Sequence, residues 1–159
     1  VKTDVESIVQ SADSKCKEVL KQLVKAELNK DTAIEQLEID RDDILTVARK
    51  HPREYAFYSS LLAMVSSAIK QCDTALECVS GELYNYYSKE YAVALKSTEV
   101  KYYITHDKDY RKLCLMKDAL IDQQEMLKAI VNAFEQRSYA INNVVRLVLM
   151  EHERSKYEA

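Results

Sequence analysis

The stretch from Tyr55 to Tyr86, YAFYSSLLAMVSSAIKQCDTALECVSGELYNY, decides the fold. Tyr55, Tyr58, Leu62, Val65, Ile69, Cys72, Leu76, Val79, Leu83 and Tyr86 recur in alternating steps of three and four. That spacing is a heptad seam, and it predicts one long amphipathic helix that packs against other helices. Gly81 falls inside the run and costs about 1 kcal/mol there relative to Ala. It marks either a close helix contact or an early end.

Working outward, a second series begins after Asp107, a candidate N-cap: Leu113, Met116, Leu120, Gln124, Leu127, Val131, Phe134, Ser138, Ile141, Val145 and Val148. It too predicts a long helix. Upstream, Thr32 and Glu35 form a candidate capping box for a helix from about Asp31 to Lys50, stopped by Pro52. The residues before it show helical spacing as well. Between the two long helices, VKYYIT (Val100–Thr105) would suit a strand but has no pairing segment, so it is a connector or more helix. With one Gly and one Pro in 159 residues, the chain lacks the turns a β-rich fold needs. The expected class is all-α, with long amphipathic helices in an elongated bundle. Residues 1–50 are expected to be a helical extension and residues 51–159 the core.

The end of the chain is apolar over much of its circumference: Ile141, Val144, Val145, Val148 and Leu149, joined by Leu147 and Met150. A helix with so narrow a wet face seeks burial on more than one side. Contact with a second copy supplies it, which makes these five residues candidates for oligomerisation through the C-terminal helix; a central place in its own bundle is the alternative.

The chemistry of catalysis leaves little trace. One Gly excludes a phosphate-cradling loop and a dinucleotide fingerprint. None of His51, His106 and His152 follows a Glu by three residues, and HExxH is absent, so no metal or cofactor site is expected. His106 and Asp107 beside Cys114 fit a polar helix start next to a buried thiol better than a nucleophilic site. Cys16, Cys72, Cys78 and Cys114 match no zinc or disulfide spacing and are read as small buried hydrophobes. No charge-free run is long enough to span a membrane, and VKTDVESIVQ has no apolar signal core. The expected location is the cytoplasm, and a chain that begins on Val reads as trimmed or processed.

Charge argues mildly against nucleic acid, since 23 Lys and Arg face 26 Asp and Glu, a net of −3. One region differs. From Tyr84 to Asp118 seven tyrosines accompany seven cations and five carboxylates. Cations that neutralise a phosphate backbone, beside rings on which bases stack, are the ingredients of a single-strand site. Tyrosines at heptad positions that pack in a core are the competing explanation.

The same region carries a resemblance. NYYSKEY, LKSTEVKYYITHDKD and, after the long apolar helix, AFEQRSYAINNV are similar in order and separation to elements of the UvsY family of phage recombination mediators. The last motif comprises Arg137, Ser138, Tyr139, Ala140 and Ile141, and a weaker echo reaches back to Tyr55. The resemblance implies a non-catalytic helical protein that forms rings through its C-terminal helix and binds single-stranded DNA. It would load a recombinase onto strands covered by a single-strand-binding protein, in the host cytoplasm if phage-encoded. The family tends to carry cations just before the paired tyrosines, whereas this chain has CVSGELYN there. The candidate DNA-binding residues are therefore Lys96, Lys101, Tyr102, Tyr103, Lys108, Arg111 and Lys112, chosen on physical grounds. A helical adaptor or assembly protein without nucleic-acid binding is the competing function.

Overall fold

The computed structural model describes residues 2–26 and 30–157, and every described element is helical. The helices are α1 (Lys2–Lys25), α2 (Lys30–Leu37), α3 (Ile44–Asn85), α4 (Ser97–His106) and α5 (Lys108–Tyr157), with a π turn, Tyr86–Glu90, directly after α3. The two heptad series thus become α3 and α5, of 42 and 50 residues.

Packing divides the chain into two units, residues 1–25 with 63–124 and residues 26–62 with 125–159. Each takes in part of the first fifty residues, and α3 and α5 contribute to both.

In unit 1 the core joins Val5, Val9 and Ala12 of α1 to Ala75, Val79 and Leu83 of α3, Val100 and Ile104 of α4, and Leu113 of α5. Cys16 and Cys72 are buried with their sulfurs 3.3 Å apart, and burial next to Cys16 pushes the Cys72 thiol up to about 12. Those two thiols behave as the buried hydrophobes expected; Cys78 does not, since it is exposed, and Cys114 is half-buried. At the rim, Asp13 Oδ2 accepts from Lys17 at 2.8 Å and Lys112 at 3.3 Å, and Lys117 pairs with Asp73 at 2.6 Å.

Unit 2 buries Ala33, Ile44, Tyr58, Leu61, Leu127, Ile130, Phe134 and Ile141. Tyr58 stacks on Phe134, with centroids 5.1 Å apart, and donates its hydroxyl to Gln36 Oε1 at 2.9 Å. The Arg137 side chain is 5% exposed; it donates to Glu54 Oε2 at 2.8 Å and to the Glu38 carbonyl at 3.1 Å, and lies 3.4 Å from His51 Nδ1.

Three local expectations are corrected. The helix foreseen over residues 31–50 is two: α2 ends at Leu37, and an aspartate-rich turn follows in which Asp42 N–H donates to Asp40 Oδ1 at 2.9 Å. The Asp43 carbonyl then accepts the Val47 N–H that begins α3. Thr32 sits inside the first turn of α2, so it is not the cap; the residue that would be lies outside the described residues. Pro52 does not stop a helix either, for α3 runs through it. An interior Pro costs about 3 kcal/mol, which the burial of Ile44 and the packing of His51 on Phe134 oppose. Finally, α3 continues past Gly81 to Asn85, and a Cβ added at Gly81 would meet nothing within 4 Å, so neither a close contact nor an end explains it.

Candidate nucleic-acid interface

The tyrosine-rich region is built by the π turn, α4 and the start of α5, all in unit 1. The Tyr91 N–H donates to the Tyr86 carbonyl at 3.0 Å, the five-residue step of a π turn. This tightens three rings together: Tyr86–Tyr87 5.1 Å, Tyr87–Tyr91 5.5 Å and Tyr86–Tyr91 6.2 Å between centroids.

Helix α4 then folds against this cluster. Its start is fixed by Lys96, whose N–H donates to Glu99 Oε2 at 2.7 Å, and by burial of Val100 and Ile104. Tyr103 reaches across to stack on Tyr87 at 5.3 Å and to meet Tyr91 at 5.8 Å. Tyr102 stacks on His106 at 4.0 Å with the planes 27° apart. His106 Nδ1 donates to the Tyr102 carbonyl at 2.8 Å, so the imidazole is turned to its own helix and not to Asp107. Asp107 is the N-cap foreseen: its Oδ1 accepts from Asp109 N–H at 2.8 Å and Tyr110 N–H at 3.3 Å, which opens α5.

The result is a sheet of aromatic surface with graded exposure. Tyr86 and Tyr87 are half-buried and hold the cluster down. Tyr91, Tyr103 and Tyr102 present 37%, 38% and 61% of their surface. Burial, with Asp107 and the neighbouring tyrosines, raises the Tyr87 hydroxyl above the ordinary phenol range, so the ring stays neutral beside any phosphate.

The cations are distributed unevenly around it. At 100° per residue, Lys101 and Tyr103 lie about 80° to either side of the buried Val100–Ile104 edge, so α4 does not bring that pair together. On α5, Lys108, Arg111 and Lys112 are spaced i, i+3, i+4 and share the face away from buried Leu113. Lys112 is engaged by Asp13. Among the described residues Lys89, Lys96, Lys101, Lys108 and Arg111 are exposed and carry no ion pair. Sequence reasoning passed over Lys89, in the π turn, and His106, the ring beneath Tyr102; no periodicity marks either.

The candidate oligomerisation residues lie in unit 2 and differ among themselves. Ile141 is buried in its own unit at 5% exposure; Val144, Val145 and Val148 are half-buried; Leu149 is 58% exposed. Val145, Val148 and Leu149 line a largely apolar groove of about 440 Å³ with Ile44, Leu45 and His152, and Arg41, Asp42 and Asp43 add charged groups to its lining. Leu45, Leu147 and Met150 add exposed apolar surface at 67%, 56% and 65%.

Among the described residues no group of His, Cys, Asp and Glu side chains is arranged to hold a metal ion, and no helix is long and apolar enough to cross a membrane. Neither a protein-family model nor a curated protein matches the sequence. A solved structure does match in shape: the bacteriophage T4 recombination mediator protein UvsY, with a TM-score of 0.63 and 16% identity, covering 77% of this chain and 94% of that one. The chain therefore has the fold of the T4 recombination mediator UvsY.

Proposed function

We propose that this chain is a non-catalytic, self-associating recombination mediator that binds single-stranded DNA and helps load a recombinase onto strands covered by a single-strand-binding protein. The observation that carries the reading is the exposed Tyr91–Tyr102–Tyr103 surface in the same stretch of chain, residues 89–111, as five cations that carry no ion pair among the described residues. Bases stack on such rings at about 1–3 kcal/mol each, without regard to sequence, while Lys and Arg neutralise the backbone. The fold shared with the T4 mediator supports the biological setting, and the apolar groove at Val145, Val148 and Leu149 supports assembly of copies. Gathering several weak sites on one strand raises the effective concentration of each. In this reading a phage-encoded chain acts in the host cytoplasm.

The test is fluorescence anisotropy with a labelled oligonucleotide over a salt series. Affinity should fall steeply as salt rises, and Tyr102→Ala with Tyr103→Ala should weaken binding about tenfold or more at fixed salt. Absence of binding at low salt would leave a helical adaptor that assembles without nucleic acid.

A further inference from the structure

The motif Arg137–Tyr139 on α5 is not absorbed by a nucleic-acid surface in unit 1, and the structure gives its residues distinct roles. Arg137 is turned inward to Glu54 and the Glu38 carbonyl. The two residues after it face elsewhere. With Glu135 and with His51, Pro52 and Tyr55 of α3, Ser138 and Tyr139 line a cleft of about 380 Å³ within unit 2.

The cleft is aromatic and singly acidic. Tyr55 donates its hydroxyl to Glu135 Oε1 at 2.9 Å, and among the described residues no donor is found for the second carboxylate oxygen. Among the described residues no cation pairs with Glu135. Tyr139 presents 67% of its surface, and the His51 ring lies 6.4 Å from that of Tyr55 in a stacked arrangement. Burial and the Arg137 guanidinium lower the His51 pKa against an opposing effect of Glu54, so a positive charge on its ring is disfavoured. A phosphate would meet the Glu135 carboxylate and be repelled.

We propose that this cleft takes the ammonium or guanidinium group of a Lys or Arg side chain from a protein partner. Aromatic faces attract a cation through their quadrupole, and the exposed Glu135 carboxylate in the cleft lining gives it a charged hydrogen-bond acceptor. The proposal is independent of strand binding, which is placed in the other unit.

Glu135→Gln separates charge from shape, because the amide oxygen still accepts from Tyr55 while the negative charge is gone. The full chain, with tyrosine rings isotopically labelled, is titrated by NMR with N-acetyl-arginine amide and N-acetyl-lysine amide, and with N-acetyl-leucine amide as the uncharged probe. The Tyr55 and Tyr139 resonances should shift saturably with the two cations at low millimolar concentration and not with leucine amide. Glu135→Gln should weaken the cation about tenfold and Tyr139→Ala about threefold, with oligonucleotide binding unchanged in both. Equal response to leucine amide, no saturable shift, or undiminished affinity in Glu135→Gln would overturn the assignment.

Discussion

Arg137 and Glu54 should show a large coupling free energy. The guanidinium is 5% exposed and the carboxylate 20%, 2.8 Å apart. Arg137 Nε is buried without a hydrogen-bond partner, and its guanidinium carbon lies 5.7 Å from the Phe134 centroid, so the cation depends on Glu54 as its one counter-charge, with the Glu38 carbonyl and, at 3.4 Å, His51 Nδ1 as neutral acceptors. Glu54→Gln removes the counter-charge and keeps the shape. An uncompensated buried charge costs about 3–5 kcal/mol, and the lower end, about 3 kcal/mol, applies because water reaches Glu54. Arg137→Met loses the charge-assisted bond to Glu38 but lets Glu54 rehydrate, at about 2 kcal/mol. In the double variant no buried charge remains, so its loss should be about 3 kcal/mol, some 2 kcal/mol short of additivity. Urea unfolding followed by far-UV circular dichroism, with tyrosine fluorescence as a second probe, measures all four corners. Losses that add within about 0.5 kcal/mol would refute the argument that Glu54 is what makes the buried cation tolerable.

Gly81→Ala should raise stability by about 0.5–1 kcal/mol, since it restores helix propensity where a Cβ meets nothing; a lower melting temperature would show an unseen constraint. If copies assemble through the groove as proposed, Leu149→Asp, which places a charge on an exposed groove residue, should lower the sedimentation coefficient with the melting curve unchanged; an unaltered sedimentation profile would refute assembly through this groove. His51 has its pKa depressed, first by burial and then by Arg137. The unfolded chain therefore takes up the proton first as pH falls, so its contribution to stability is full above about 6.5 and is lost below that value until the folded pKa is passed. Urea midpoints at pH 7.5 and 5.5 should differ in this sense, and His51→Asn should narrow the difference; an equal difference in the variant would assign it to other groups.

Long-range periodicity was legible and local exceptions were not. Tyr58, Val65, Cys72 and Val79 of the written seam are buried, but the other half of the buried stripe is Leu61, Ala68 and Ala75, with Leu62, Ile69 and Leu76 at its flanks. Small alanines carry little hydrophobic signal, so the periodicity places the stripe slightly to one side. Pro52 misled because a local penalty was weighed without the packing that opposes it. The DRDD turn could have been read, since Asx side chains that bond their own backbone are a turn signal. Arg137 could not: a lone cation in a helix reads as solvated, and only the fold supplies Glu54 from 83 residues away. The tyrosine cluster was legible as composition, but its grouping depends on a π turn that leaves no pattern.

Whole-chain net charge does not describe the local charge that a strand at the tyrosine surface would meet. Of the seven cations between Tyr84 and Asp118, Lys112 and Lys117 are engaged with Asp13 and Asp73, which leaves five that carry no ion pair among the described residues. The five carboxylates interleaved with these cations reduce the local excess, while acidic residues farther away are screened over about 8–10 Å at physiological salt, so a strand at the tyrosine surface would respond to the local charges of both signs. For single strands each neutralised phosphate contributes about 0.7 to the slope of log affinity against log salt, so one subunit can supply a slope of at most about −3.5. A steeper measured slope is expected where several copies place their cations on the same strand, and Leu149→Asp should then return it to the single-subunit limit. If the slope stays steep in a variant that sediments as a monomer, then cations outside this surface are in contact with DNA, and the placement of the interface on the π turn, α4 and the start of α5 is wrong.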